Sequence, residues 1–255
     1  MPRAPEKLRA LVEDYLDELE LTPELGTLAE PIRHALGGKR VRPVLCLASG
    51  EAVGAPVESL LPAAAGVELV HSFSLVHDDL PSLDNDAERR GRPSVWAAYG
   101  EATAILAGDA LLAEAFRLAL SYPRPDVARE LVTATLAMIG GQQLDLTDGW
   151  RDLESLHALK TGALFSASVM CGLWAAELPE REHPPWRAFA AELGLLFQIV
   201  DDILDGDGYV REVGAEEARR LADRAGERAQ ARLAAIDADT STLSEIVAGL
   251  VARTS

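Results

Sequence analysis

The 255-residue sequence is short of cysteine and of aromatic side chains, and it carries no excess of positive charge. Each shortage removes a class of protein. The two cysteines, Cys46 and Cys171, lie in apolar helical context without metal-ligand spacing, so they read as core residues and not as a disulfide, a metal site or a nucleophile. A net charge of −17 argues against nucleic-acid backbones and anionic membrane surfaces as partners. It leaves room for an anionic small molecule wherever cations are gathered locally. Linkers, low-complexity tracts and internal repeats are missing, so residues 1–255 read as one domain. Apolar runs are broken by charge before the roughly 18 residues of a membrane helix, and no membrane insertion is expected. The opening "MPRAPEKLRALVEDYLDELEL" has no basic region followed by an apolar one. It reads as an amphipathic helix and not a signal peptide, which makes a cytoplasmic address the expectation.

What the chain does have is helical periodicity, segment after segment, as in "EATAILAGDALLAEAFRLAL", "LHALKTGALFSASVMCGLWAAEL" and "WRAFAAELGLLFQIVDDILD". Strand-like alternation is absent. Breaks fall at Gly37–Gly38 and at residues 54–56, 122–125 and 179–185, where proline and glycine end helices. The spacing predicts an all-α bundle of nine or ten helices with a central cavity available for a ligand.

Two acidic segments interrupt this apolar pattern. In "HDDLPSLDND", Asp78, Asp79, Asp84 and Asp86 follow an apolar helix, and in "FQIVDDILD" Asp201, Asp202 and Asp205 close another. Asp201 and Asp205 are four residues apart and share a helix face. Either segment alone could be a helix end facing water. Together they suit hard divalent ions with oxygen ligands, because buried unpaired carboxylates are costly and Mg²⁺ is held by carboxylates shared with phosphate. A phosphate ligand calls for cations, which "GGKRVRP" (Lys39, Arg40, Arg42), "RRGRP" (Arg89, Arg90, Arg92) and the lone Lys160 in an apolar helix supply.

Taken in order, "GGKRVRP", "HSFSLVHDDLPSLDND", "RRGRPS", "GGQQLDL", "LHALKTGAL" and "FQIVDDILD" resemble the landmarks of the trans-isoprenyl diphosphate synthases, or polyprenyl synthetases, of the short-chain farnesyl/geranylgeranyl type. The resemblance runs from about Leu28 to Asp205. It implies an isoprenoid synthase-type bundle of about ten helices, a cytoplasmic homodimer, three Mg²⁺ ions, and head-to-tail condensation of isopentenyl diphosphate with an allylic diphosphate. By resemblance, Asp78, Asp84 and Asp201 ligate the metal, with Asp79, Asp202 and Asp205 supporting directly or through water. Arg89, Lys160 and, through metal-bound water, Gln198 bind the allylic diphosphate. Lys39, Arg42, His71 and Arg90 hold isopentenyl diphosphate, and His71 lies about two turns before Asp78 on the same helix side. Thr161 and Gln142 are secondary polar contacts, while Asp145 is either such a contact or a helix-end carboxylate.

Phe73 and Ser74 lie one turn below Asp78, and the family places its chain-length floor at that level; a phenyl ring there is bulky enough to block a growing chain. With the "PS" insertion between the aspartates, the pattern resembles the bacterial farnesyl type, with a twenty-carbon product as the alternative. Two further alternatives are a class I terpene cyclase, whose second site is usually of NSE type, and a weakly active partner subunit of a heteromeric synthase, which would lose an acidic cluster. After Asp205 the chain departs from the family. The usual lysine-bearing closing loop is missing, and only arginines such as Arg211, Arg219 and Arg220 stand in its place. "DGDGY" does not fit a calcium loop, since Tyr209 and Val210 occupy positions needing an oxygen ligand and a glycine.

Overall fold

Helix boundaries in the computed structural model, which describes residues 2–147, 149 and 152–254, fall at the proline and glycine breaks. The helices are α1 (Pro5–Asp17), α2 (Ala29–Ala35), α3 (Val41–Ala52), α4 (Val57–Asp78), α5 (Val95–Tyr99), α6 (Glu101–Ala119), α7 (Asp126–Leu146), α8 (Leu153–His157), α9 (Ala163–Ala175), α10 (Pro184–Asp205), α11 (Tyr209–Val213), α12 (Ala215–Ala234) and α13 (Ser241–Val251). Nine of these have eleven residues or more, and α2, α5, α8 and α11 are short connectors. The all-α expectation holds, with one small exception. Glu88–Arg89 (β1) and Arg92–Pro93 (β2) form a minimal antiparallel hairpin, too short to leave an alternating pattern in the sequence.

The segment "LHALKTGAL" is not one regular helix. Between α8 and α9, residues Ala158–Gly162 form a π-helical turn, a distortion that tends to mark functional positions. It carries Lys160 and Thr161.

Buried apolar residues from Leu8 to Leu250, Leu156 excepted, belong to a single cluster. Helix α4 packs against α3, α6 and α9 and is apolar on nearly every side, as a central helix must be. By length and composition, Val57–Asp78 and Leu153–Ala175 could each cross a membrane, contrary to the expectation drawn from charge breaks. In the bundle the apolar window of the first is 67% buried and that of the second 50%. Cys46 and Cys171 are free and buried, as expected of core residues.

Close approach of α3 and α9 depends on glycine. A Cβ at Gly172 would lie 2.1 Å from the backbone oxygen of Cys46, and one at Gly50 would lie 2.9 Å from that of Gly172. Backbone cannot move aside as a flexible side chain can. Gly172→Ala is therefore expected to lower the melting temperature by roughly 5 °C, the scale of an overpacked core. An unchanged thermal scan would contradict this account of the α3–α9 contact.

Candidate active site

Helix α4 ends at Asp78, and the chain then turns back on itself, with the Asp84 amide donating to the Asp78 carbonyl at 2.8 Å. The next residues form the β1–β2 hairpin, whose two-residue turn is Arg90–Gly91 with φ of 58° and 77°. Positive φ at both positions is what a tight hairpin turn requires. Arg89 and Arg90 are thereby aimed in different directions. Arg89 donates its Nε to Asp79 Oδ1 at 2.9 Å, adds a second bond there through Nη2, and reaches Asp86 Oδ2 at 3.3 Å. Arg90 donates to the Gly37 carbonyl, packed against the Gly37–Gly38 segment.

A cavity of about 610 Å³ lies between α3, α4, the π-turn and α10. It brings Asp78 and Asp201 to one space, together with Lys39, Arg42, His71, Arg89, Arg90, Lys160 and Thr161. The two acidic helix ends thus reach one cavity from separate helices. Burial pushes the Asp78 carboxyl up to about 6, with Lys160 pulling it down and Asp84 adding to the rise. Burial also raises Asp201, with Asp205 reinforcing the shift and Arg253 and Arg42 opposing it. Both carboxylates thus face a cationic cavity while poorly solvated.

The cations are held as distinctively as the acids. Arg42 rests on a pair of neighbouring aromatic rings, its guanidinium carbon 4.5 Å from the Phe165 centroid and 5.5 Å from that of Phe197. Burial pushes its guanidinium down to about 10. Its Nε is buried without a hydrogen-bond partner, and Nη1 is 3.5 Å from His71 Nε2. Desolvation, followed by the charges of Arg42 and Arg90, drives His71 well below the ordinary histidine value, so its ring is neutral. Lys160 pairs with Asp145 Oδ2 at 2.6 Å, which settles Asp145 as the counter-ion of this lysine.

A second cavity, about 240 Å³, adjoins the first at Ser74, Asp78, Met138 and Lys160. Phe73 is on its wall, edge-on to His77 with centroids 5.6 Å apart, and Gln142 presents a buried, unpartnered Oε1. Ile139 and Leu146 on its outer side are 50% and 52% exposed.

Some of the residues expected around the metal do not line the larger cavity. Asp202 is buried away from the cavity, where it accepts from Gln198 Nε2 at 2.7 Å and from the Tyr209 amide at 2.9 Å, anchoring the start of α11. Gln198 accordingly lines a different cavity, beside His157 and Gly162. Neighbouring residues on a helix point about 100° apart, and here Asp201 faces the cavity while Asp202 turns to Gln198 and Tyr209. Asp84 and Asp205 are exposed and act on Asp78 and Asp201 through charge. Two further residues escaped the sequence reading. Arg253, from the turn at Ala252–Thr254, lines the larger cavity, and so does buried Glu68 of α4.

Among the described residues, no three of His, Cys, Asp and Glu are grouped closely enough to hold a metal by themselves. The donor set nonetheless fits Mg²⁺, which keeps several waters and is bound through one or two carboxylates plus substrate phosphate. Asp78 and Asp201 supply hard oxygen from opposite walls. The orphaned Nε of Arg42 supplies a buried donor in search of an anion.

An all-helical bundle with two acidic helix ends facing one cationic cavity defines an isoprenoid synthase fold. The polyprenyl synthetase family model matches residues 26–217. The chain is similar to the geranylgeranyl diphosphate synthase of Cyanophora paradoxa, at 40% identity over 215 residues that cover 77% of this chain and 71% of that one. It is also 40% identical over 193 residues to the farnesyl diphosphate synthase of Bacillus subtilis, covering 70% and 65%. The solved structure of a geranyltransferase from Legionella pneumophila superposes with a TM-score of 0.86 at 31% identity, over 98% of this chain and 96% of that one. The chain belongs to the polyprenyl synthetase family, and it spans about two thirds of the length of the two curated relatives.

The raised Asp78 carboxyl has a measurable consequence in metal-free protein. Its folded value, about 6, lies above the ordinary 3.8, so the folded state binds more protons than the unfolded one between those limits. Stability is lost as pH rises through that window. Asp78→Asn, which stays neutral, should melt higher than wild type above pH 6 in chelator, with the gap closing near pH 4. A variant that melts lower than wild type at neutral pH would show that the carboxylate is not desolvated there.

Proposed function

We propose that the protein is a Mg²⁺-dependent trans-prenyltransferase that joins isopentenyl diphosphate head-to-tail to dimethylallyl or geranyl diphosphate and releases pyrophosphate. One observation carries the reading: Asp78 and Asp201 share a cavity with diphosphate-binding cations drawn from four separate parts of the chain. Asp78 and Asp201 would hold the metal, with exposed Asp84 and Asp205 adding negative charge beside them. When bound, the metal offsets charge on the departing diphosphate.

The side chains perform the remaining work. Arg89 and Lys160 hold the allylic diphosphate, Lys160 exchanging Asp145 for phosphate oxygen. Lys39, Arg42 and Arg90 hold the second diphosphate, with neutral His71 as a hydrogen-bonding neighbour. Preset donors of this kind stabilise developing charge without reorganisation. Arg253 supplies a closing cation on the side where the chain has no loop lysine. The apolar walls near Phe73 and Met138 keep water from the allylic cation, which water would quench.

A fifteen-carbon product follows from Phe73, whose ring stands on the wall of the small cavity. The twenty-carbon alternative draws on geranylgeranyl-forming relatives such as that of Cyanophora and on the exposed outer wall at Ile139 and Leu146. Pairing of two copies belongs to the same proposal. Val132, Leu136, Ile139 and Leu146 form an exposed apolar stripe along α7, and no charged residue lies between Glu130 and Asp145. For a chain with a charge of −17, such a neutral face is where like molecules can meet with least repulsion. A cytoplasmic setting is proposed with it.

Chromatography of dephosphorylated products, from isopentenyl and geranyl diphosphates with Mg²⁺, tests the reading. Wild type should yield mainly farnesol and Phe73→Ala longer alcohols, with turnover lost on chelation. Pyrophosphate release without chain extension would point to a cyclase or hydrolase. Unchanged length in Phe73→Ala would remove the basis for fifteen carbons.

A further inference from the structure

The cationic side of the larger cavity stands over one carboxylate that the proposed reaction does not use. Glu68 is 2% exposed on α4 and accepts from Arg40 Nη1 at 2.6 Å. Arg40, 5% exposed, also donates to Glu13 from Nε at 3.1 Å and from Nη2 at 3.0 Å, and from Nη1 to the Gly37 carbonyl at 3.0 Å. The same Gly37 carbonyl accepts from Arg90. Glu68, Arg40, Gly37 and Arg90 therefore form one hydrogen-bonded chain.

Backbone conformation shows how firmly this chain is held. Arg40 and Arg90 both adopt left-handed φ, 55° and 58°, which is disfavoured for any residue with a Cβ and persists where the surroundings impose it. Between them, Gly38 has φ 112°, and a Cβ there would fall 2.6 Å from Arg90 Cζ. The guanidinium of Arg90 lies flat against the glycine. Burial raises the Glu68 carboxyl, while Arg40, Arg42 and Arg90 draw it down, so three arginines face one acid. A buried ion pair contributes little net stability compared with apolar side chains of the same volume. Geometry, not stability, is the return on burying this one.

We propose that Glu68 is a positioning residue for the isopentenyl diphosphate half-site: through Arg40 it fixes the Gly37 carbonyl, which in turn holds Arg90 and the loop bearing Lys39 ready for a diphosphate. The inference rests on the prenyltransferase reading for its substrate. Arg40 on this view is a strut and not a ligand, although it sits in the same basic motif as Lys39 and Arg42.

The test uses steady-state kinetics with each substrate varied in turn, melting curves, and calorimetric titration with inorganic pyrophosphate. Glu68→Gln keeps the shape of the side chain and removes its charge. Arg40→Met with Glu68→Leu replaces the pair by apolar groups, a change that buried pairs often tolerate in stability. Gly38→Ala displaces Arg90 from the other side and remains informative if Glu68→Gln fails to fold. All three should raise KM for isopentenyl diphosphate roughly tenfold, the scale of one misplaced charge-assisted hydrogen bond, with KM for the allylic substrate within about twofold. The double variant should recover the wild-type melting temperature without recovering KM. Recovery of both together, or an equal rise in KM for both substrates, overturns the positioning role. A wild type that makes no condensation product counts instead against the prenyltransferase reading. In that case a tenfold weaker pyrophosphate titration in the variants supports the cradle, and an unchanged one overturns it.

Discussion

The structure is organised around mutual attraction between desolvated charges of opposite sign that share one cavity without neutralising one another. Asp78 and Asp201 are pushed toward protonation by burial, and Arg42 is pushed toward deprotonation by the same cause. Left alone, each would cost stability. They are kept apart by the bundle itself, since α4, α10 and α3 each bring one of them to the cavity from its own direction. On the proposed function, a dianionic phosphate together with a divalent cation would satisfy both sets at once. Such complementarity would account for an arrangement that folding alone would not select.

Local devices hold the charges where attraction alone would collapse them. Arg89 is pinned on Asp79, Lys160 is parked on Asp145, and Arg90 is hung on a backbone carbonyl. The hairpin turn at Arg90–Gly91 separates two consecutive arginines, and the π-turn at Ala158–Gly162 places a lysine between two cavities. Aromatic faces, in place of carboxylates, support Arg42 and leave its Nε free. Each device preserves a donor for an incoming anion.

Much of this was legible in the sequence, because helical periodicity, proline and glycine punctuation and the acidic pairs are local signals. The nine long helices and the breaks between them follow from those signals, while the pairing of Asp78 with Asp201 rests on the cost of burying carboxylates without a partner. Other features are not local. Asp202 carries the same motif letter as Asp201, yet the helical angle between adjacent residues turns it toward Tyr209 and Gln198. Arg253 lies well beyond the last of the sequence motifs and joins the site through packing of α13 and the turn after it against α10. Glu68 reads in sequence as one acid among apolar neighbours, and its partner Arg40 reads as a ligand. Only the fold shows that they face each other. The apolar character of α4 likewise resembles a membrane span until its neighbours are known.

The central claim is that Asp78 and Asp201 act on one shared guest. Calorimetric titration of Mg²⁺ with inorganic pyrophosphate into wild type, Asp78→Ala, Asp201→Ala and the double variant measures it directly. If both carboxylates grip the same metal–pyrophosphate unit, either single change should weaken binding by about 10²-fold, and the double change should cost little more than one. Independent losses that multiply in the double variant, or tight binding that survives either single change, would contradict a shared site.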